Sequence, residues 1–89
     1  MIDKPFVSEL NKLDVLVEYT VKQFKPHGGE IKEEEVYKLR SADFNEILTL
    51  RISDGEAWGN VDSDIIRFEL QQIMKILEVV EKKIETYGA

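Results

Sequence analysis

The sequence contains no cysteine and a single histidine among its 89 residues. Without cysteine, disulfides, thiolate metal sites and cysteine nucleophiles are excluded. His27 cannot form a zinc site alone, and its surroundings, PHGG at 26–29, are typical of a flexible turn. No pair of carboxylates is singled out for acid–base work, so we expect a protein that is not an enzyme and needs no cofactor.

Long hydrophobic runs and an excess of positive charge are also missing. No stretch is apolar over the length of a membrane span, and residues 1–10 lack the apolar run of a secretory signal peptide. The net charge of −6 repels nucleic acid at long range. We therefore expect a cytoplasmic protein with no membrane contact, and we do not expect nucleic acid as a partner.

The chain is short for an independent domain. With 43 % hydrophobic residues, residues 1–89 predict one domain with a modest core. Chains of this size often gain stability by associating with themselves. We therefore expect a homo-oligomer.

The first half of the chain allows two interpretations. Apolar residues from Phe6 to Phe24 recur every three or four positions, which predicts an amphipathic helix over 6–25 with Ser8 as its N-cap. The residues of 13–21 also alternate between apolar and polar and are rich in β-branched types, which is typical of a strand. We favour the helix and keep the strand as the alternative.

Two strands and a hairpin follow. Residues 34–41 and 46–53 read as strands, and 56–61 return as a short third strand. Asp54-Gly55 between the last two suits a two-residue type I′ turn. This turn places Arg51 opposite Trp58, on the face away from Leu50.

The strongest helical pattern runs from Asp62 to Tyr87. A helix of this length measures about 39 Å, which exceeds the roughly 30 Å of a small domain. A second copy is the simplest cover for the surplus apolar stripe. The predicted oligomer interface comprises Ile66, Leu70, Ile73, Leu77, Val80 and Ile84.

The segment RISDGEAWGNVDSDI, residues 51–65, looks most like a binding site. Asn60, Asp62 and Asp64 have the spacing of the first ligands of an EF-hand. The glycine expected at the sixth position is Ile65, and the glutamate expected at the twelfth is Gln71. We therefore predict a helix start rather than a metal site.

Trp58 is predicted to lie on the face of the sheet opposite the core. If Tyr37 and Leu39 face the core, the opposite face of the sheet carries a basic-aromatic patch. Its predicted partner-binding residues are Trp58, Arg51, Lys38 and Arg40. The alternatives are cross-strand stabilisation of a solvated face and a subunit interface.

These patterns predict an α+β fold: an N-terminal helix, a three-strand antiparallel meander and a long C-terminal amphipathic helix. The function we favour is a non-catalytic protein-interaction or regulatory module that acts as a homodimer and binds a further protein partner. One alternative is an acidic inhibitor that mimics nucleic acid, based on the run Glu33-Glu34-Glu35. The other is binding of nucleic acid or another anion by the open sheet face.

Overall fold

A computed structural model describes residues 1–25, 27–43 and 45–88. The fold is α+β, as predicted, but its antiparallel sheet has four strands instead of three. In chain order the elements are α1 (Lys4–Asn11), β1 (Leu16–Phe24), β2 (Lys32–Arg40), β3 (Glu46–Ser53), β4 (Glu56–Val61), a 3₁₀ helix η1 (Ser63–Arg67) and α2 (Leu70–Gly88).

The additional strand is β1, and it lies within residues 6–25, so the helix predicted over that segment is wrong for most of its length. Only α1 is helical, and Asp3 rather than Ser8 caps it by accepting a hydrogen bond from the Phe6 N–H at 3.1 Å. The strand alternative holds for β1, which pairs with β2 along its whole length. Pairing with the next strand along the chain therefore decides between the two patterns.

Asp14 ends the first helical segment. Its φ of 60° is left-handed, a conformation that Asp tolerates better than most residues. The Asp14 N–H donates to the Asn11 carbonyl at 3.1 Å, and the Val15 N–H donates to the Leu10 carbonyl at 3.0 Å. These bonds satisfy two terminal carbonyls in a Schellman arrangement and turn the chain into β1.

The four strands form a simple meander in the order β1-β2-β3-β4. The hairpin predicted at Asp54-Gly55 is confirmed, since both residues have positive φ, 50° and 80°. The predicted register is confirmed as well, with Arg51 opposite Trp58. His27 and Gly28 lie in a turn between β1 and β2, whereas Pro26 of the predicted PHGG turn lies outside the described residues.

Both helices lie on one face of the sheet. Alternate residues of a strand point to opposite faces, so Tyr37 and Leu39 share the covered face with Leu50 of β3. The Tyr37 ring meets that of Phe6 edge-on at a centroid distance of 5.3 Å. The buried core comprises Phe6, Leu10, Val15, Tyr37, Leu39, Ile47, Leu48, Leu50, Ile52, Ile65, Ile76 and Val80.

The C-terminal helix is shorter than the predicted 62–87. Asp62 precedes η1 instead of an α-helix, and Phe68 has an extended backbone that interrupts the helical path before Leu70. The 19 residues of α2 span about 28 Å, well within the 45 Å long axis of the molecule. The helix is therefore not longer than the domain, and that argument for a covering second copy is wrong.

The turn at Gly55 provides a test of the backbone. A Cβ at Gly55 meets nothing within 4 Å, so Gly55→Ala adds only the strain of a positive φ. We expect a cost of about 1–2 kcal/mol in the free energy of unfolding. Gly59→Ala is the control, because its Cβ would make ordinary contacts at 3.7 and 3.8 Å. Denaturant unfolding that shows equal losses for both variants would contradict the hairpin.

Candidate functional site

The face of the sheet opposite the helices holds the four predicted partner-binding residues. Lys38 and Arg40 on β2 share this face with Arg51 on β3 and Trp58 on β4, as the register requires. Trp58 is 39 % exposed on the edge strand. The four residues therefore share one face of the sheet, with only Arg51 and Trp58 directly opposite each other.

Its arginines, however, are engaged by carboxylates of the same face. Arg51 Nη1 lies 2.7 Å from Glu34 Oε1. Arg40 Nη2 lies 2.9 Å from Glu18 Oε2 and 3.5 Å from Glu46 Oε1. Sequence reasoning missed these pairs because Glu18 was assigned to a helix, and because Glu34, the first residue of the predicted strand 34–41, was weighed as part of an acidic run and not as a partner of Arg51.

One of these ion pairs explains why Val36 is buried although no helix covers it. Val36 is 0 % exposed although it points to the open face, opposite Arg51. The apolar stems of long charged side chains cover neighbouring apolar surface. The Arg51–Glu34 pair, whose members lie opposite and two residues before Val36, accounts for its burial and leaves Arg51 less available to an anionic ligand.

A second surface is apolar and uncovered. It lies where β4 ends and α2 begins, and we call it the η1–α2 surface. Ile66, Leu70 and Met74 are 79, 77 and 69 % exposed there. The surface comprises Val61, Ile66, Leu70, Met74 and Leu77.

This surface contains only half of the predicted oligomer interface. Ile66, Leu70 and Leu77 are exposed, but Val80 is 4 % exposed and belongs to the core. Ile73 and Ile84 pack against that core. The heptad pattern merged two neighbouring stripes of α2, of which one covers the sheet and the other faces outward. Met74 was missed, although it lies four residues after Leu70 and three before Leu77.

A polar cluster joins the chain start to α2. Lys83 Nζ lies 2.6 Å from Asp3 Oδ2, and this hydrogen bond holds the pKa of Asp3 below its usual value. The Tyr37 hydroxyl accepts a hydrogen bond from the Asp3 N–H at 3.0 Å. Because a charged partner strengthens such bonds, the cluster fastens α1 and α2 over the sheet.

Tyr19 and Glu35 form a related contact on the covered face. The Tyr19 hydroxyl donates to Glu35 Oε1 at 2.6 Å. Burial, followed by this bond, raises the pKa of Tyr19 above its usual value. Burial opposes ionisation of Glu35, but its hydrogen bonds, first that from Tyr19, hold its pKa below the usual range. The pair is therefore a neutral phenol bound to a carboxylate, an arrangement that positions strands.

An open cleft of about 420 Å³ lies between α1 and the end of α2. Its two ionic groups nearest the sheet, Asp3 and Lys83, already bind each other. Within the described residues, no group of three or more histidine, aspartate or glutamate side chains could hold a metal ion. Of the EF-hand-like residues, Asn60 lies on β4 and Asp64 lies in η1, 3.5 Å from Arg67.

In the described part of the chain, no helix is both long and apolar enough to cross a membrane. In comparisons with models of known families, with curated proteins and with solved structures, the chain matches none.

Trp58 and Leu50 test the assignment of the two sheet faces. Leu50 is fully buried, so we expect Leu50→Ala to lower the free energy of unfolding by about 2–5 kcal/mol. Trp58→Ala removes cross-strand packing on a partly solvated edge and should cost about 1 kcal/mol. Denaturant unfolding measures both. A tryptophan variant as unstable as the leucine variant would show that Trp58 belongs to the core.

Proposed function

We propose that the protein is a non-catalytic interaction module of the cytoplasm, which acts as a homodimer and binds a further protein through the η1–α2 surface. The observation that carries this proposal is the exposure of Leu70, Met74 and Leu77 along one face of α2 in an acidic chain. Contiguous apolar patches on a soluble surface mark interaction sites, whereas scattered apolar residues do not.

The arrangement of the surface favours a helical partner. Leu70, Met74 and Leu77 follow the i, i+4, i+7 spacing of one helix face, and Ile66 and Val61 extend it toward the sheet edge. An amphipathic helix with apolar residues at the same spacing can lie along such a surface. The contact would bury side chains that water now surrounds.

Charge around the surface specifies the partner further. Glu78 and Glu81 lie four residues after Met74 and Leu77, on the continuation of the same helix face. Both are exposed, as is Glu69 at the other end of the surface. Because opposite charges at a rim speed association and reject wrong partners, we expect basic residues beside the apolar residues of the partner.

The two other functions considered from the sequence have less support. Direct anion binding by the open face needs free basic groups, but Arg40 and Arg51 are bound to glutamates. A mimic of nucleic acid needs rows of unpaired carboxylates, and the same pairs neutralise Glu18 and Glu34. These contacts favour a protein partner over both alternatives.

A labelled amphipathic peptide tests the proposal. The probe is a helical peptide with leucines at i, i+4 and i+7 and flanking lysines, and its binding is followed by fluorescence anisotropy. Met74→Glu places a charge in the apolar contact and should weaken binding at least about tenfold.

Ile31→Glu is the matched control, because Ile31 is as exposed as Met74, 69 %, but lies outside the η1–α2 surface. It should leave binding of the basic peptide unchanged. A peptide of the same apolar sequence with glutamates in place of the lysines should bind more weakly. If the wild-type protein fails to bind the basic peptide, or both variants bind it equally, the proposed use of this surface is wrong.

A further inference from the structure

We propose that β1 pairs antiparallel with β1 of a second copy, around a two-fold axis at Thr20. The two four-stranded sheets then form one continuous sheet of eight strands. This inference rests on the proposed homodimer and assigns its contact to β1 instead of the α2 stripe.

The first reason is that β1 is an open edge. It is the outermost strand, and it is nine residues long without a proline or a bulge. Leu16, Val21 and Phe24 are between 41 and 46 % exposed along it. An edge of this kind presents unpaired N–H and C=O groups and readily accepts another strand.

The second reason is that β1 is complementary to itself. With Thr20 on the axis, Glu18 of each copy faces Lys22 of the other, so two opposite-charge pairs form. Leu16 of each copy likewise faces Phe24 of the other. Apolar and opposite-charge pairs both stabilise antiparallel strands. All of these residues lie on the open face, where no helix obstructs them.

The register with Thr20 on the axis is more favourable than the two neighbouring registers. Moving the axis to Tyr19 sets Glu18 opposite Thr20, and moving it to Val21 sets Glu18 opposite Phe24. Both shifts remove the charge match and shorten the paired segment. The intramolecular contact with Arg40 at 2.9 Å does not compete, because a carboxylate accepts several donors.

The other edge of the sheet lacks these properties. β4 has six residues and carries Gly59 near its middle, and the chain leaves it directly into η1. Pairing through β1 also leaves the η1–α2 surface of both copies uncovered. The dimer would therefore present two docking surfaces for the partner protein.

Disulfide trapping tests this register, because the chain contains no cysteine of its own. Paired residues on the axis have Cα atoms about 4.5–5.5 Å apart, which is within the range that a disulfide spans. We expect Thr20→Cys to cross-link at least about tenfold faster than Lys22→Cys under the same mild oxidation. The two Lys22 positions would be about 14 Å apart, although they lie on the same strand and face.

Charge exchange provides a second measurement. Lys22→Glu sets glutamate opposite Glu18 twice and should raise the dimer dissociation constant about fivefold or more in sedimentation equilibrium. The double variant Glu18→Lys/Lys22→Glu restores both pairs and should restore the dimer. Circular dichroism establishes that each variant is folded.

The outcomes separate the two proposals. A wild-type dimer in which the two cysteine variants cross-link at equal rates, or in which Lys22→Glu has no effect, overturns the β1 pairing and leaves the homodimer standing. A wild-type monomer overturns the β1 pairing and the homodimer together. Neither result affects the peptide test of the η1–α2 surface, which is carried out on separate variants.

Discussion

Two helices cover only one face of a four-stranded sheet. The lack of helices for the other face determines which surfaces of the molecule stay exposed. The eight residues of α1 and the nineteen of α2 bury the side chains that β2 and β3 direct toward them. No further helix in the described residues is present for the other face. Ion pairs between neighbouring strands cover part of that face, where Val36 is buried opposite Arg51. Small proteins often leave one face of a sheet without helices, because their surface is large relative to their volume.

The small number of helices also explains which apolar residues stay exposed. Although α1 contacts β1, Leu16, Val21 and Phe24 of this edge strand stay exposed, and α2 carries a second apolar stripe beside the one that covers the sheet. The ion pair between Asp3, the N-cap of α1, and Lys83 joins the two helices. The two uncovered surfaces lie on different elements. The two proposed occupants, a second copy at β1 and a further protein at α2, would therefore not compete for the same surface.

The elements that depend on neighbouring residues were predicted well from the sequence. Asp54-Gly55 determines a turn type, and the turn determines which residues of β3 and β4 face each other. The elements that depend on contacts with another segment of the chain were predicted less well. β1 has both a helical and an alternating pattern, and only its pairing with β2 decides between them. The break at Phe68 also depends on the tertiary fold. Neither the heptad pattern nor its length indicates this break.

The candidate site was predicted in the same uneven way. The face of Trp58 and Arg51 followed from the register, but the glutamates that bind Arg40 and Arg51 did not. Assigning Glu18 to a helix removed it from the sheet, so its contact with Arg40 could not be foreseen. Met74 was overlooked because the heptad pattern combined residues of the core-facing stripe with residues of the exposed stripe.

The most direct test of this account is backbone hydrogen exchange measured at low and high protein concentration. The account predicts that the outward-facing amides of β1 become more protected as concentration rises, while those of β4, the opposite edge, do not change. Protection is the appropriate readout because pairing a free edge strand satisfies N–H groups that water otherwise reaches. Exchange in β1 that is independent of concentration, or protection that rises at β4 instead, would contradict the account.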